Sequence, residues 1–265
     1  MIAVGKECYH EKCGSIHGFG RKWSDKDLSS ALEDEVAVLI YDEVGKEHIQ
    51  SILAQVTTTE FLKDGLEKVL ASSDTIKDWQ VGEAIAECYL ERHRNCSFPW
   101  PDGRDVRRPK SSLPGADLVG FIKEQGKTRF VFGEVKTSHE RKWPPQVCRG
   151  RSGTHGLGVQ VKDLCSDERI KAKIFKYLGH RADAFSEQYR DAAKQFLVDR
   201  NDVHVVGFLV RDVEPKSDDL KSLVRDISVV RSGTTSVEFF ALYLPNDRIK
   251  TLAENLRKVG KGGVA

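Results

Sequence analysis

Pro114-Gly115-Ala116-Asp117-Leu118-Val119-Gly120-Phe121, followed after a short polar stretch by Phe130-Val131-Phe132-Gly133-Glu134-Val135-Lys136, decides how the rest of the chain is read. Both stretches are rich in β-branched and aromatic residues. Lys123-Glu124-Gln125-Gly126-Lys127 lies between them and carries a glycine suited to a tight turn, so the pattern predicts a β-hairpin. A turn centred between Gln125 and Gly126 sets Asp117 directly opposite Glu134, and directly opposed Cβ atoms lie about 5 Å apart. Alternation along the strand puts Glu134 and Lys136 on one face. A slip of one residue in register would send the two acids to opposite faces.

Charges inside such apolar segments are costly unless something requires them. A lone Glu-x-Lys on a strand is ordinarily solvated surface. Here Phe130 and Phe132 share the face of Glu134 and Lys136, and Val119 and Phe121 share that of Asp117, which describes a partly enclosed site. Two carboxylates this close repel unless a divalent cation or a shared proton compensates. Hard oxygen ligands on a rigid sheet suit Mg²⁺ or Mn²⁺. With a lysine beside them, the arrangement implies metal-dependent phosphodiester cleavage.

The 265 residues are 39% hydrophobic and 31% charged, the composition of an ordinary globular protein with a real core. No apolar run of membrane-spanning length appears, and Met1-Ile2-Ala3-Val4-Gly5-Lys6-Glu7 lacks the apolar core of a signal peptide, so a cytoplasmic location is expected. A net charge of +2 is not the footprint of bulk nucleic-acid coating. Phosphate contacts must come from local clusters: Arg104, Arg107, Arg108 and Lys110 before the hairpin, and Arg141, Lys142, Arg149 and Arg151 after it. Taken singly, each is as readily a solvated loop charge. The expected partner is DNA, gripped with little sequence specificity and strong salt dependence. The six cysteines read as reduced thiols. Cys8, His10, Cys13 and His17 offer zinc-type donors, but their spacing does not match paired-knuckle sites, and a loop with free Cys and His is the plainer reading.

Residues 1–78 read as an α/β appendage suited to docking a partner, with a strand at Glu35–Tyr41 and a helix from about 58 to 71. From 79 to 265 the pattern is that of a second domain. Its first helix has Val81, Ile85, Cys88 and Tyr89 as the apolar stripe, with Glu83 off it. The proline-rich Phe98–Arg104 segment interrupts regular structure. A basic loop spans 137–158, helices cover 159–178 and 183–200, strands lie at 203–210 and 237–244, and a last helix spans 247–257. This order predicts a mixed α/β domain with helices flanking a central sheet.

Glu83 on a helix, Asp117 on one strand and Glu134-Val135-Lys136 on its neighbour resemble the PD-(D/E)XK nuclease superfamily. The resemblance implies a restriction-endonuclease-like mixed sheet with an αβββαβ core, which residues 79–210 can supply. It also implies catalytic roles for Glu83, Asp117, Glu134, Lys136 and Gln160, and a Mg²⁺ or Mn²⁺ ion held by Asp117, Glu134 and the backbone carbonyl of Val135. Ala116 stands where the superfamily usually has proline. More narrowly, Gly82-Glu83-Ala84, Pro99-Trp100-Pro101, Leu113-Pro114-Gly115-Ala116-Asp117 and Leu244-Pro245 resemble the HamA family, nuclease subunits of bacterial Hachiman antiphage systems. That implies a helicase partner with ATPase activity and a role in phage defence. The competing readings are a catalytically silent DNA-binding or assembly module on the same fold, and a subunit gated by its partner.

Overall fold

The structure, a computed structural model, describes residues 1–70, 76–99, 115–151, 154–180, 182–230 and 233–262. Arg104, Arg107, Arg108 and Lys110 lie outside the described residues.

The chain opens with a hairpin, β1 (Lys6–Cys13) and β2 (Ile16–Lys22). Then come α1 (Asp25–Ala31), a π-helical turn (Leu32–Val36), α2 (Ala37–Ile40), α3 (Glu43–Leu53) and α4 (Glu60–Leu70). Next are α5 (Asp78–Arg94), β3 (Cys96–Ser97), β4 (Leu118–Glu124), β5 (Lys127–Ser138), α6 (Gln146–Arg149) and the small hairpin β6 (Gly150–Arg151) and β7 (Thr154–His155). The remainder is α7 (Leu157–Ser166), α8 (Glu168–Gly179), α9 (Ser186–Val198), β8 (Val203–Arg211), α10 (Asp218–Val230), β9 (Ser236–Tyr243) and α11 (Leu252–Gly262).

Seven strands form one mixed sheet in the order β1-β2-β9-β8-β5-β4-β3. The inner pairings β2–β9, β9–β8 and β8–β5 are parallel, and antiparallel pairs close both edges. Helices cover both faces. On one face Val131, Val135, Phe208 and Phe240 pack with Val81 and Ile85 of α5, Leu32 and Leu256. On the other, Phe130, Phe132, Val205 and Leu209 pack with Val161, Ile174, Phe196 and Val224. Every residue of β8 is buried, as expected of a central parallel strand covered on both sides. Each of its buried Val, Leu and Phe side chains contributes about 1.5–3 kcal/mol. The expected α/β architecture with flanking helices is what the chain adopts.

The decisive hairpin has the expected register, running from Leu118 opposite Gly133 to Glu124 opposite Lys127. Gln125 and Gly126 both have positive φ, 49° and 77°, the two-residue turn whose twist matches the flanking strands.

Three expectations need correction. Glu35–Tyr41 is not a strand: residues 35–40 are helical and Tyr41 caps the helix. Its apolar run is ambiguous by itself. Leu28, Ala31, Leu32 and Val36 are the buried positions, a helical spacing continuing from the Ser24 cap. The Cys8–His17 stretch is the β1–β2 hairpin rather than a loop, and β2 joins the main sheet beside β9, so this early segment is continuous with the core. Gly18 and Gly20, against which α10 side chains and the Tyr9 ring pack closely, mask the β signal there. The last helix begins at Leu252, after a 3₁₀ turn at Ile249–Thr251. The helix expected near 58–71 is present as α4, but Phe61 is 84% and Val69 80% exposed, so its apolar face lies open. Among the described residues, no helix is long and apolar enough to cross a membrane.

A candidate active site beside the central hairpin

β5 is the junction of the sheet, paired antiparallel to β4 and parallel to β8. Glu134 and Lys136 lie in its second half, opposite Gly207 and Leu209. Asp117 sits one residue before β4 begins, where the ladder with β5 stops. Its Oδ2 accepts a hydrogen bond from the Val135 N–H at 2.8 Å, so the carboxylate satisfies a donor left over by the end of the ladder. A strand residue's N–H and C=O point to the same side, so the Val135 carbonyl lies on Asp117's side of β5.

The three charged side chains converge. Lys136 Nζ lies 3.2 Å from Glu134 Oε2 and 3.5 Å from Asp117 Oδ2. Glu134 is only 2% exposed, whereas Lys136 and Asp117 remain partly open to solvent. Burial, then the neighbouring Asp117 charge, pushes the Glu134 carboxyl up to about 8; the Lys136 ammonium opposes both. A shared proton or a divalent cation is what relieves the repulsion between two carboxylates placed this close.

Two facing hard-oxygen donors and a nearby main-chain carbonyl fit a Mg²⁺-type ion that completes its shell with water and substrate oxygens. They do not form an all-protein cage: among the described residues, no group of three or more His, Cys, Asp or Glu side chains is placed to hold a metal.

Gln160 occupies the first turn of α7, which packs on β5 and β8 from the face Glu134 points to. Its Oε1 is buried and has no hydrogen-bond partner. Glu83 arrives from the other side. α5 belongs to the opposite face, and a Cβ added at Gly82 would lie 2.1 Å from Thr137 Oγ1, so α5 touches β5 one residue beyond Lys136. Glu83 is half-buried on that helix.

Arg141 and Lys142 are exposed on the loop that leaves β5 and Arg149 is exposed at the end of α6, and Arg141 Nη2 lies 3.5 Å from Asp247. Arg151 falls in β6. The zinc donors do not converge. His10 Nε2 and His17 Nδ1 are 2.9 Å apart on one face of the hairpin, while Cys13 Sγ lies against Ser228 Oγ on the other and Cys8 is exposed.

Sequence reasoning passed over Arg211, at the end of β8. Its side chain is fully buried and spans the start of the basic loop, with Nη1 donating to Ser138 O at 3.3 Å and Nη2 to Lys142 O at 2.9 Å. The available signal was the Arg211-Asp212 charge pair closing an otherwise apolar strand.

No model of a known protein family matches the chain, and no curated protein matches it.

Proposed function

We propose that this chain is a metal-dependent nuclease that hydrolyses DNA phosphodiester bonds with little sequence specificity. The observation that carries the reading is the convergence of Asp117, Glu134 and Lys136 within 3.5 Å of the lysine nitrogen. Further support comes from the succession α5, β3, β4, β5, α7 and β8, which, with α6 and the β6–β7 hairpin before α7 and α8 and α9 after it, contains an αβββαβ arrangement of the kind the PD-(D/E)XK resemblance implies.

In this reading Asp117, Glu134 and the Val135 carbonyl hold Mg²⁺ or Mn²⁺. The ion, when bound, acidifies a water and neutralises charge on the phosphate. Glu134 would serve as a ligand in its carboxylate form, since a bound cation would offset its repulsion with Asp117. The Lys136 ammonium orients the attacking water and stabilises negative charge gathering on the phosphate oxygens. In this reading Gln160, whose buried Oε1 has no hydrogen-bond partner, accepts one from the attacking water or from Lys136. Arg141, Lys142 and Arg149 grip flanking phosphates, which positions a duplex without reading it.

The narrower resemblance adds a helicase partner that gates the nuclease within an antiphage defence complex. The open apolar face of α4, around Phe61 and Val69, favours such docking. The test is plasmid cleavage by purified protein with Mg²⁺, with EDTA, and with the partner helicase added. Cleavage that needs Mg²⁺ and disappears in Glu134→Ala and Lys136→Ala supports the proposal. EDTA-resistant cleavage, or cleavage persisting in both variants, refutes it, and DNA binding without any cleavage points to the silent module.

A further inference from the structure

Arg211 and Asp219 are both fully buried, with Arg211 Nε 3.3 Å from Asp219 Oδ2. Asp219 Oδ2 also accepts from Tyr243 Oη at 2.7 Å, and Tyr243 Oη lies 2.8 Å from Tyr9 Oη. A charged pair taken wholly out of water is costly, and replacement by apolar side chains of similar volume is often neutral or stabilising. The guanidinium faces a specific task here. Its two terminal nitrogens reach the carbonyls of Ser138 and Lys142, which bracket the turn leaving β5 immediately after Lys136. That turn leads through α6 to α7 and Gln160, so it joins the two elements that flank the carboxylate pair. It also carries Arg141 and Lys142.

We infer that Arg211 is a positioning residue: its planar fork clamps the Ser138–Lys142 turn so that the loop's cations are presented to DNA phosphates beside the carboxylate pair. Asp219 and Tyr243 hold the fork in place. The inference rests on the nuclease reading for what the loop grips, but not for the clamp itself. Lysine cannot substitute, because one ammonium on a flexible stem cannot span two carbonyls in fixed geometry.

Two measurements on the full chain test this. Hydrogen exchange reads the 139–149 amides, and binding of a short fluorescein-labelled DNA duplex in EDTA is followed against salt. Arg211→Lys keeps the charge beside Asp219; Arg211→Met with Asp219→Asn removes both charges and replaces the single variant if it fails to fold. The expected result is loop exchange accelerated about tenfold or more at an unchanged exchange rate in β8. The slope of log affinity against log salt should fall by about 2, as each lost phosphate contact lowers it by about one. Removing Arg141 and Lys142 in the Arg211→Lys background should then lower the slope no further. A merely structural arginine would alter stability while leaving the salt slope as it was. Unchanged exchange and slope in a folded Arg211 variant would overturn the inference. If the native chain binds no duplex, the nuclease reading fails, and loop exchange alone still decides whether Arg211 clamps the turn.

Discussion

A carboxyl group that is 2% exposed and faces a second carboxylate keeps its proton far above the usual range, and Glu134 does so up to about 8. The folded state therefore binds a proton that the unfolded chain has already lost above the ordinary glutamate pKa. Its contribution to stability is complete below about pH 4.5 and is lost as pH rises through 8. Glu134→Gln should remove that slope. In EDTA at pH 8 the variant should be more stable than the native protein, on the order of 2–4 kcal/mol, at about 1.4 kcal/mol per pKa unit. Urea melts at pH 5 and pH 8 measure this; parallel pH profiles for the two proteins would contradict it. With Mg²⁺ the native protein should recover stability that the glutamine variant does not. In the proposed reaction, Lys136→Ala should lower plasmid cleavage by about 10² to 10³-fold, the scale for losing one preorganised charge at a transition state, with the circular dichroism spectrum unchanged.

At the scale of elements, the β4–β5 hairpin and the approach of α5 set the site. The turn at Gln125 and Gly126 was legible because its chemistry is local: φ values of 49° and 77° suit a glycine and tolerate a polar neighbour, and the register of every later pair follows. Gly126→Ala should cost about 1 kcal/mol, with no loss of register, since nothing lies within 4 Å of the added carbon. Gly82 was not legible in this way. Its lack of a side chain matters only because Thr137 Oγ1 occupies the space where a Cβ would go, 2.1 Å away. Gly82→Ala should cost about 1–3 kcal/mol by forcing α5 off the sheet. Adding Thr137→Ala should return at least half of that loss; a double variant no better than the single one would show that the contact is not limiting. Glu35–Tyr41 misled because seven mostly apolar residues satisfy either a strand or a buried helical turn, and packing beneath α5 chose the helix.

In the whole molecule the sheet is a single unit whose first edge is made by β1 and β2. Deleting residues 1–22 would strip β2 from β9, uncover a hydrophobic parallel edge and leave Trp23, 2% exposed, without its setting. Such a truncation should aggregate or lose cooperative thermal unfolding; a soluble, cooperatively folding 23–265 fragment would show that the hairpin is dispensable. The sequence by itself determined the central hairpin, its register, the shared face of Glu134 and Lys136 and the α/β class, because turn chemistry and side-chain alternation act between near neighbours. Only the tertiary structure decided that β1 and β2 complete the sheet, that Cys8 and Cys13 part from His10 and His17, and that Arg211 is buried against Ser138, Lys142 and Asp219. Those outcomes depend on which distant segments come to lie side by side, and the free energy of that choice comes from burial spread over both faces of the sheet rather than from any local pattern.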